Sequence, residues 1–497
     1  MKNKITLLNS ISALFLQVVT IISGFIIPKI ILLYFGSAVN GLVSSISQFL
    51  SYIALIEGGV TGVIYASLYK PLLDNDKTKI SRILVTSKIF YRRIGYIFMA
   101  YSLVLAVIYP LFINKDFDFL FALGLTIVLS ITLLIQYMFS LTLKTLLVAD
   151  KKLYIISFTQ VGIITLNIIF TYISARIYPN IHILKFISGI MYVFQPLIYA
   201  KYVNKNYDIS WSEKQDNTLL KERWNGFAIN VANFIHTSTD ITILTIFTNL
   251  KIVSVYYVYS LVINGLGSLV KSISSGIEPT IGHSYAKNDS NDINFKMDLY
   301  EFVIFFLVGF LFTVASIQIT PFVMVYTKKI NDANYCQPIF GYVIVLAEAL
   351  YLLKYPHLSI AYTANKFKEI TVPAFIEAFI NIVISVILVN KIGLIGVAIG
   401  TAIAMLYRMI FQVRYTKKIL PNRKPRIYYK KLIIISIATI VAILMCNLIR
   451  INEENFVNLI LGASIHSLIV LIVYFITAFL FFKREFKFLI SYIKLKN

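Results

Sequence analysis

Long apolar segments recur along nearly the whole chain, and they constrain its fold more than any other feature. Each is long enough to cross a bilayer as a helix, which takes about 20 apolar residues. The predicted spans are 7–33, 41–69, 85–112, 119–147, 154–176, 181–202, 224–248, 253–284, 299–327, 337–363, 370–390, 393–415, 431–450 and 456–482. The sequence therefore predicts an all-α polytopic membrane protein with about 14 transmembrane helices.

The composition supports a membrane protein and excludes a soluble enzyme. Of 497 residues, 58% are hydrophobic and 14% are charged, against about 25% charged in ordinary soluble domains. The Ile/Val-rich runs are predicted to be helices, because an open sheet edge cannot satisfy its backbone in lipid. The two cysteines, Cys336 and Cys446, exclude a disulfide scaffold and a CxxC site.

The basic residues are unevenly distributed, and their positions predict the orientation. The chain has 46 Lys and Arg against 23 Asp and Glu, a formal net charge of +23. With both termini inside, 34 of the 46 basic residues fall in inside segments, 9 in outside loops and 3 within spans. This agrees with the excess of Lys and Arg in cytoplasmic loops. The basic excess thus indicates topology and contact with anionic lipid, and it does not indicate a nucleic-acid partner.

The longest polar segments divide the chain into two lobes and a final helix pair. Residues 67–76 and 284–292 form a faint repeat at an offset of about 217 residues, each closing the second span of a lobe. Parallel six-span repeats occur in transporters. The predicted parts are an N-terminal lobe 1–202, a cytoplasmic linker 203–223, a C-terminal lobe 224–417, a basic cytoplasmic linker 418–430, a span pair 431–482 and a basic cytoplasmic tail 483–497.

Polar residues at helical spacing mark the first two spans of each lobe. Polar groups within spans either hold helices together or face a water-filled cavity. Four such stripes at matching positions favour a shared cavity. The candidate substrate-binding residues in this cavity are Lys271, Asn233, His236, Asp240, Asn230, Asn264, Gln17, Gln48 and Lys354. The candidates for ion coupling are Asp240, Glu348 and Glu377, with Na⁺ or H⁺ as the coupling cation and no other cofactor or metal.

Several charged residues within spans have a structural alternative. Glu57, beside two glycines, is expected to cap a helix break, and a second break is expected at Pro356. Glu377 begins an i, i+4 polar series in its span, and a pair between it and the neighbouring span that carries Lys354 is as consistent with the sequence as substrate contact. Arg408 is expected to extend to the basic inner end of its span.

The sequence shows no catalytic constellation. It contains no GxxxxGK[ST] phosphate loop, and no predicted loop exceeds about 20 residues. A glycan polymerase or ligase would need a long outer loop with catalytic Arg or His residues, so this class is disfavoured. The DxD-like pair Asp74 and Asp76 is interpreted as a solvated turn. The sequence therefore predicts a transporter and not an enzyme.

Five sequence segments resemble a known family, the oligosaccharide (O-antigen type) flippases of the multidrug/oligosaccharidyl-lipid/polysaccharide exporter superfamily. The segments are NSISALFLQ at 9–17, PKIILLYFG at 28–36, EGGVTG at 57–62, YASLYK at 65–70 and EPTIGHSYAK at 278–287. The resemblance implies a multi-pass protein of the bacterial cytoplasmic membrane. It implies that an undecaprenyl-pyrophosphate-linked glycan moves from the inner to the outer leaflet by alternating access, together with other polysaccharide-assembly proteins.

In the resembled family, a cationic cavity between the lobes receives the pyrophosphate, and Lys271 is the one position here that matches this role. Spans 1, 2, 7 and 8 carry no arginine away from their ends, unlike many members of the family. A sugar-poor or less charged cargo, or a teichoic-type glycan, therefore stays open. Two alternatives with a different substrate class also stay open. One is a flippase for the lipid-linked peptidoglycan precursor, and the other is a cation-coupled multidrug exporter of the same superfamily.

Overall fold

The structure, a computed structural model, describes residues 2–57, 59–113, 116–216, 224–287, 289–449 and 455–494. Side chains are described from residue 4 to residue 491 of these ranges, apart from those of 224–230, 232, 233 and 235–237. The helices are α1 Lys2–Ser51, α2 Ala54–Glu57, α3 Val60–Asp74, α4 Lys77–Phe112, α5 Phe119–Ile135, a π-helical turn Gln136–Ser140, α6 Leu141–Ala149, α7 Leu153–Ile177, α8 Ile181–Met191, α9 Phe194–Asn206, α10 Trp224–Phe247, α11 Leu250–Ala286, α12 Ser290–Tyr326, α13 Pro338–Leu353, α14 Tyr355–Thr363, α15 Phe367–Ile392, α16 Leu394–Ile419, α17 Pro425–Asn447, α18 Phe456–Phe481 and α19 Lys483–Lys494.

Helical hydrogen bonding continues through the whole of α1, but the helix axis changes direction within it. Unbroken, its 50 residues would extend about 75 Å, far more than a bilayer. The path is interrupted at Gly36, whose φ of 80° and ψ of 178° are not helical. A positive φ is accessible to glycine because it lacks a Cβ. Lys2–Ser51 is therefore two helices joined at Gly36, where the sequence predicts a short loop at 34–40.

The number of spans agrees approximately with the prediction. Among the described residues, 12 helices are long and apolar enough to cross a membrane, counting Lys4–Glu57 as one. Division at Gly36 adds another, and Ser238–Phe247 forms a shorter apolar helix within α10. The chain is thus an all-helical, multi-pass membrane protein, as predicted.

Two predicted helix breaks are confirmed. The predicted span 41–69 consists of the end of α1, then α2, then α3, with the break between α2 and α3 directly after Glu57. Glu57 accepts a hydrogen bond from Tyr137 Oη at 3.1 Å and another from the hydroxyl of Thr61. The expectation that Glu57 caps this break is wrong, because α3 has Gly59 at its N-cap and, among the described residues, no side-chain cap. The second break separates α13 from α14 at Lys354, two residues before Pro356. Both breaks leave a charged residue among the spans.

Polar residues between the spans start the following helices. Asp76 accepts a hydrogen bond from the amide of Lys79 at 2.9 Å and begins α4. Asp289 accepts one from the amide of Asn291 at 2.9 Å and begins α12. Such caps satisfy amides that have no partner within the helix. The faint repeat at 67–76 and 284–292 therefore has a common local role, since each segment ends one span and carries the cap of the next.

The chain forms two compact units. The first contains Met1–Phe234 and Asn249–Ser254, and its core is formed mainly by aliphatic and aromatic side chains of α1 to α9. The second contains Ile235–Thr248 and Val255–Asn497. In the second unit, α17 and α18 pack against α12, and Tyr474 of α18 lies 2.7 Å from Thr439 of α17 between their hydroxyl oxygens. The final span pair is thus part of the second unit.

Candidate functional site

The second unit contains an ion pair between two spans, formed by Lys271 of α11 and Glu348 of α13. Lys271 Nζ lies 3.5 Å from Glu348 Oε1. The Lys271 side chain is 39% exposed and that of Glu348 is 16% exposed. Lys271 belongs to the predicted polar stripe of its span, in which Asn264 is also exposed. The ammonium group is therefore accessible from outside the unit, and the Glu348 carboxylate balances its charge.

Gly267, one turn before Lys271, leaves room for the Glu348 carboxylate. A Cβ at position 267 would lie 2.6 Å from Glu348 Oε1. Because real Cβ atoms do not approach an oxygen so closely, any larger residue would displace the carboxylate. The small residue on α11 is thus a condition for the pair, a feature that sequence analysis did not identify.

A second set of charged side chains in this unit is more completely buried. Lys354, at the break between α13 and α14, has its Nζ 3.7 Å from Glu377 Oε2 of α15. Arg408 of α16 approaches the same oxygen at 3.4 Å through Nε and donates a hydrogen bond to the backbone oxygen of Ile370 at 2.9 Å. All three side chains are buried. The expectation that Arg408 extends to the end of its span is wrong, because a buried guanidinium needs a nearby carboxylate.

The aromatic ring of Tyr351 lies close to the ammonium groups of both Lys271 and Lys354. The Tyr351 ring centroid lies 4.8 Å from Lys271 Nζ and 4.2 Å from Lys354 Nζ, distances at which a cation is attracted to a ring. The residues of this Lys271 cluster are Lys271, Glu348, Lys354, Glu377 and Arg408. Their three basic and two acidic groups leave one excess positive charge, and Lys271 is its most exposed member.

A second polar centre surrounds Asp240 of α10. Thr401 Oγ1 donates to Asp240 Oδ2 at 2.9 Å, Tyr256 Oη donates to the same oxygen at 2.9 Å, and Asn381 Nδ2 donates to Oδ1 at 3.4 Å. Asp240 is buried. Among the described residues, no Lys, Arg or His forms an ion pair with it. The described partners of the carboxylate are therefore all neutral donors.

Close packing of α15 against α16 assembles further oxygen atoms there. Ser385 Oγ donates to Asn381 Oδ1 at 2.9 Å and approaches the backbone oxygen of Val397 at 3.3 Å. Gly400 permits this approach, since a Cβ there would lie 2.2 Å from Ser385 Oγ. Oxygen atoms of these kinds are the ligands that a hard cation such as Na⁺ prefers. The oxygen set at this centre consists of Asp240 Oδ1 and Oδ2, Thr401 Oγ1, Asn381 Oδ1, Ser385 Oγ and the Val397 oxygen.

One helix face joins the two centres. Glu377, Asn381 and Ser385 are buried on the same side of α15. Glu377 contacts the Lys271 cluster, while Asn381 and Ser385 contact the Asp240 centre. The i, i+4 spacing in the sequence correctly indicates a polar face. Thr401, Tyr256 and Tyr351, which complete the two centres, lie in other helices and had no sequence signal.

The remaining predicted site residues are located elsewhere. Gln17 and Gln48 are half-buried in the first unit, and Gln48 Nε2 donates to Ser51 Oγ at 3.1 Å. The side chains of Asn230, Asn233 and His236 lie outside the described residues. Of the predicted cavity residues, the second unit thus brings together Lys271, Lys354 and Asp240 along one polar network.

A separate set of ion pairs surrounds Glu301 of α12, and we call it the Glu301 cluster. Its residues are Asp298 and Glu301 of α12, His357 of α14, Arg423 and Lys431. Arg423 Nη2 lies 2.7 Å from Glu301 Oε1, Lys431 Nζ lies 2.9 Å from Oε2, and His357 Nε2 lies 3.1 Å from Oε1. Burial alone lowers the pKa of Arg423, but Glu301 and Asp298 more than offset this and raise it above its usual value. The cluster fixes α17 to α12 and α14.

Solved structures of similar fold are membrane transporters. A lipid II flippase (MurJ) in an inward-closed conformation matches with a TM-score of 0.71 at 18% identity, over 96% of this chain and 99% of that chain. An inward-facing multidrug resistance MATE family transporter of the MOP superfamily matches with a TM-score of 0.62 at 13% identity, over 82% and 94%. The eukaryotic MATE transporter AtDTX14 matches with a TM-score of 0.58 at 11% identity, over 86% and 98%.

Sequence comparison is less informative than this structural likeness. No protein-family model matches the chain, and no curated protein matches it. At these identities the likeness concerns the fold, which this chain shares with a lipid flippase and with multidrug exporters. The predicted fold of the exporter superfamily is thereby confirmed.

Proposed function

We propose that this chain is a flippase that moves a polyprenyl-pyrophosphate-linked oligosaccharide from the inner to the outer leaflet of the bacterial cytoplasmic membrane, with both termini cytoplasmic. The observation that carries the proposal is Lys271, a half-exposed ammonium group on the polar face of a membrane span. A charge within a membrane is costly to maintain unless it has a partner or a function. A pyrophosphate is a suitable ligand, because it offers several anionic oxygens to an ammonium donor.

The Glu348 carboxylate supports an exchange of partners at this site. It holds Lys271 at 3.5 Å, which is a loose pair. An arriving pyrophosphate takes the place of the carboxylate at the ammonium group, and the carboxylate recovers Lys271 when the headgroup leaves. A site that binds and releases its cargo needs such a competitor, because transport requires that the substrate not be held permanently.

The Asp240 centre supports coupling to a cation. One buried carboxylate with no basic partner among the described side chains, surrounded by amide, hydroxyl and carbonyl oxygens, favours a monovalent cation. Since α15 carries both Asn381 of this centre and Glu377 of the Lys271 cluster, cation binding at one affects the other through a shared helix. Of the three predicted coupling residues, Asp240 is the best supported, because Glu348 and Glu377 are already paired with basic groups.

A flippase for the lipid-linked peptidoglycan precursor is the second candidate, and one observation favours it. The lipid II flippase structure matches 96% of the chain. Because only about 4% is left unmatched, the final span pair is included at least in part. The multidrug transporters match 82% and 86% of the chain. This extent of similarity favours a lipid-linked cargo over a drug.

Transport by the purified protein in proteoliposomes tests the proposal. A fluorescent polyprenyl-pyrophosphate oligosaccharide is placed in one leaflet, and its arrival in the other is measured with an impermeant quencher. Lipid II and a cationic drug serve as competing cargoes. Transport of the oligosaccharide lipid supports the proposal, transport of lipid II alone supports the second candidate, and transport of the drug alone contradicts both.

The matched control is Lys366, which forms a similar pair outside the polar network. Lys366 Nζ lies 3.4 Å from Glu369 Oε1, and both side chains are more than two-fifths exposed. Lys271→Ala is expected to abolish or strongly reduce transport, and Lys366→Ala to leave it unchanged. Equal transport by both variants would remove Lys271 from the site.

A further inference from the structure

The segment after α9 is a fixed strap on the outside of the first unit. We call residues 207–216 the linker strap. The amide of Ser210 donates to Ser81 Oγ at 3.0 Å, and that of Asp216 donates to Thr86 Oγ1 at 2.8 Å. These bonds attach the strap to the first three turns of α4. Residues 207–216 of the predicted linker 203–223 therefore lie against the helices of the first unit.

Side chains strengthen this attachment. Asp208 pairs with Lys77 at 3.1 Å, and Glu213 pairs with Arg82 Nε at 3.2 Å. The Trp211 ring lies beneath Lys88, whose Nζ is 4.4 Å from the ring centroid. Each exposed contact contributes little by itself, but together they hold one side of a pocket.

The pocket lies between the strap, the end of α3 and the start of α4, and its volume is about 670 Å³. Ligand sites in proteins commonly have volumes of about 300–1,000 Å³. Four basic side chains line it, from three different elements: Lys70 of α3, Lys79 and Arg82 of α4, and Lys214 of the strap. Two acidic residues, Asp74 and Asp216, also line it. The pocket thus has an excess of positive charge.

Three of the basic groups are available for a ligand. Among the described residues, Lys70, Lys79 and Lys214 form no ion pair, whereas Arg82 is paired with Glu213. Lys70 ends the YASLYK motif singled out in the sequence, and Asp74 opens the DxD-like turn. Several ammonium groups converging from separate elements suit a ligand with several anionic oxygens. This charge, together with the pocket's size, indicates a phosphate-bearing group and its first attached sugar.

We propose that this pocket binds a phosphate- or pyrophosphate-bearing group at the inner face of the membrane. The distribution of basic residues assigns this end of the spans to the cytoplasm. On the proposed function, on which this step rests, the pocket captures the headgroup of the lipid-linked glycan before it reaches Lys271. The binding itself does not depend on transport and is measured separately.

Trp211 in the strap serves as a reporter. The chain has two tryptophans, Trp211 and Trp224, so Trp224→Phe leaves one signal. In this background, inorganic pyrophosphate is expected to change the Trp211 fluorescence in a saturable manner. A variant with Lys70, Lys79 and Lys214 all replaced by Gln is expected to bind at least about tenfold more weakly. Replacement of Lys151, Lys152 and Lys205 by Gln removes the same charge from elsewhere in the unit and is expected to leave binding unchanged.

The source of the phosphate is distinguished by a second probe. Nanodiscs containing phosphatidylglycerol are compared with phosphatidylcholine nanodiscs, with and without added pyrophosphate. A response to phosphatidylglycerol that the triple variant loses also supports the site and identifies a membrane lipid as its ligand. No response to either probe, or an equal response in the triple variant, overturns the proposal. Pyrophosphate binding without glycan transport would refute the proposed function but not the pocket, and transport without binding would do the reverse.

Discussion

The Lys271 cluster and the Glu301 cluster have similar residues but differ in how completely they are enclosed. Glu301 is fully buried and has three basic partners at 2.7–3.1 Å. In the Lys271 cluster the ion-pair distances are 3.4–3.7 Å, and Lys271 remains 39% exposed. A buried charge with every partner close is expensive to separate. A loose, accessible pair can exchange one partner for another, so the Glu301 cluster is suited to structure and the Lys271 cluster to ligand binding.

The largest effect is expected from breaking the Glu301 cluster, which is the more enclosed of the two. Glu301→Gln leaves Arg423 and Lys431 without their central carboxylate, which is expected to destabilise the fold by about 3–5 kcal/mol. Thermal unfolding in detergent, followed by size-exclusion chromatography, measures this change. Glu369→Gln, which removes an exposed carboxylate paired with Lys366, is the control and is expected to leave the unfolding temperature unchanged. A stable Glu301→Gln protein would contradict the structural role of the cluster.

A change in the Lys271 cluster is expected to reduce transport while leaving stability nearly unchanged. Lys271→Ala is expected to reduce transport by about 10- to 100-fold, the range for losing a hydrogen bond to a charged ligand. Its unfolding temperature should stay near that of the wild type, because a partly exposed ion pair stabilises little. Lys271→Arg, which keeps the charge, is expected to retain part of the activity. Parallel loss of stability and transport would show that the two clusters do not differ in role.

The Asp240 centre is enclosed like Glu301, but no described side chain gives it a basic partner, so a cation is expected to complete it. Asp240→Asn removes the charged member of the described oxygen set, so the Na⁺ concentration that gives half-maximal transport is expected to rise about tenfold or more. Thr401→Ala, which removes one neutral ligand, should have a smaller effect. Transport measured against Na⁺ concentration, with K⁺ as the balancing ion, checks both. Unchanged Na⁺ dependence in Asp240→Asn would exclude coupling at this centre.

The smallest effect is expected from removing the Glu348 carboxylate, which on the proposed function competes with the headgroup for Lys271. Glu348→Gln is expected to increase the affinity for the headgroup by about 1.4- to 5-fold, which corresponds to about 0.2–1 kcal/mol for a partly exposed pair. Gly267→Ala should act in the same direction, because its Cβ displaces the carboxylate. Concentration dependence of transport gives both values. A lower affinity in either variant would mean that Glu348 binds the cargo instead of competing with it.

Much of the fold follows from local sequence patterns. A span of about 20 apolar residues is a local property, so the number of helices could be counted without knowing their neighbours. The break beside Glu57 and the break before Pro356 are also local, because glycine and proline act on their own backbone. The join at Gly36 lies within the predicted loop 34–40, but hydropathy does not show that helical hydrogen bonding continues through these residues.

The site was only partly predictable, for a physical reason. Hydropathy and spacing were enough to place Lys271, Lys354, Asp240 and Glu377 within spans and to identify the one-sided polar series that begins at Glu377. The pairing of Glu348 with Lys271, of Glu377 with Arg408 and of Thr401 with Asp240 became visible only once the helices were packed together. Periodicity specifies the face of a helix on which a residue lies, but the partner across that face depends on how helices distant in sequence pack. The structure thereby separates the charges that hold the unit together from the one that is accessible to a ligand.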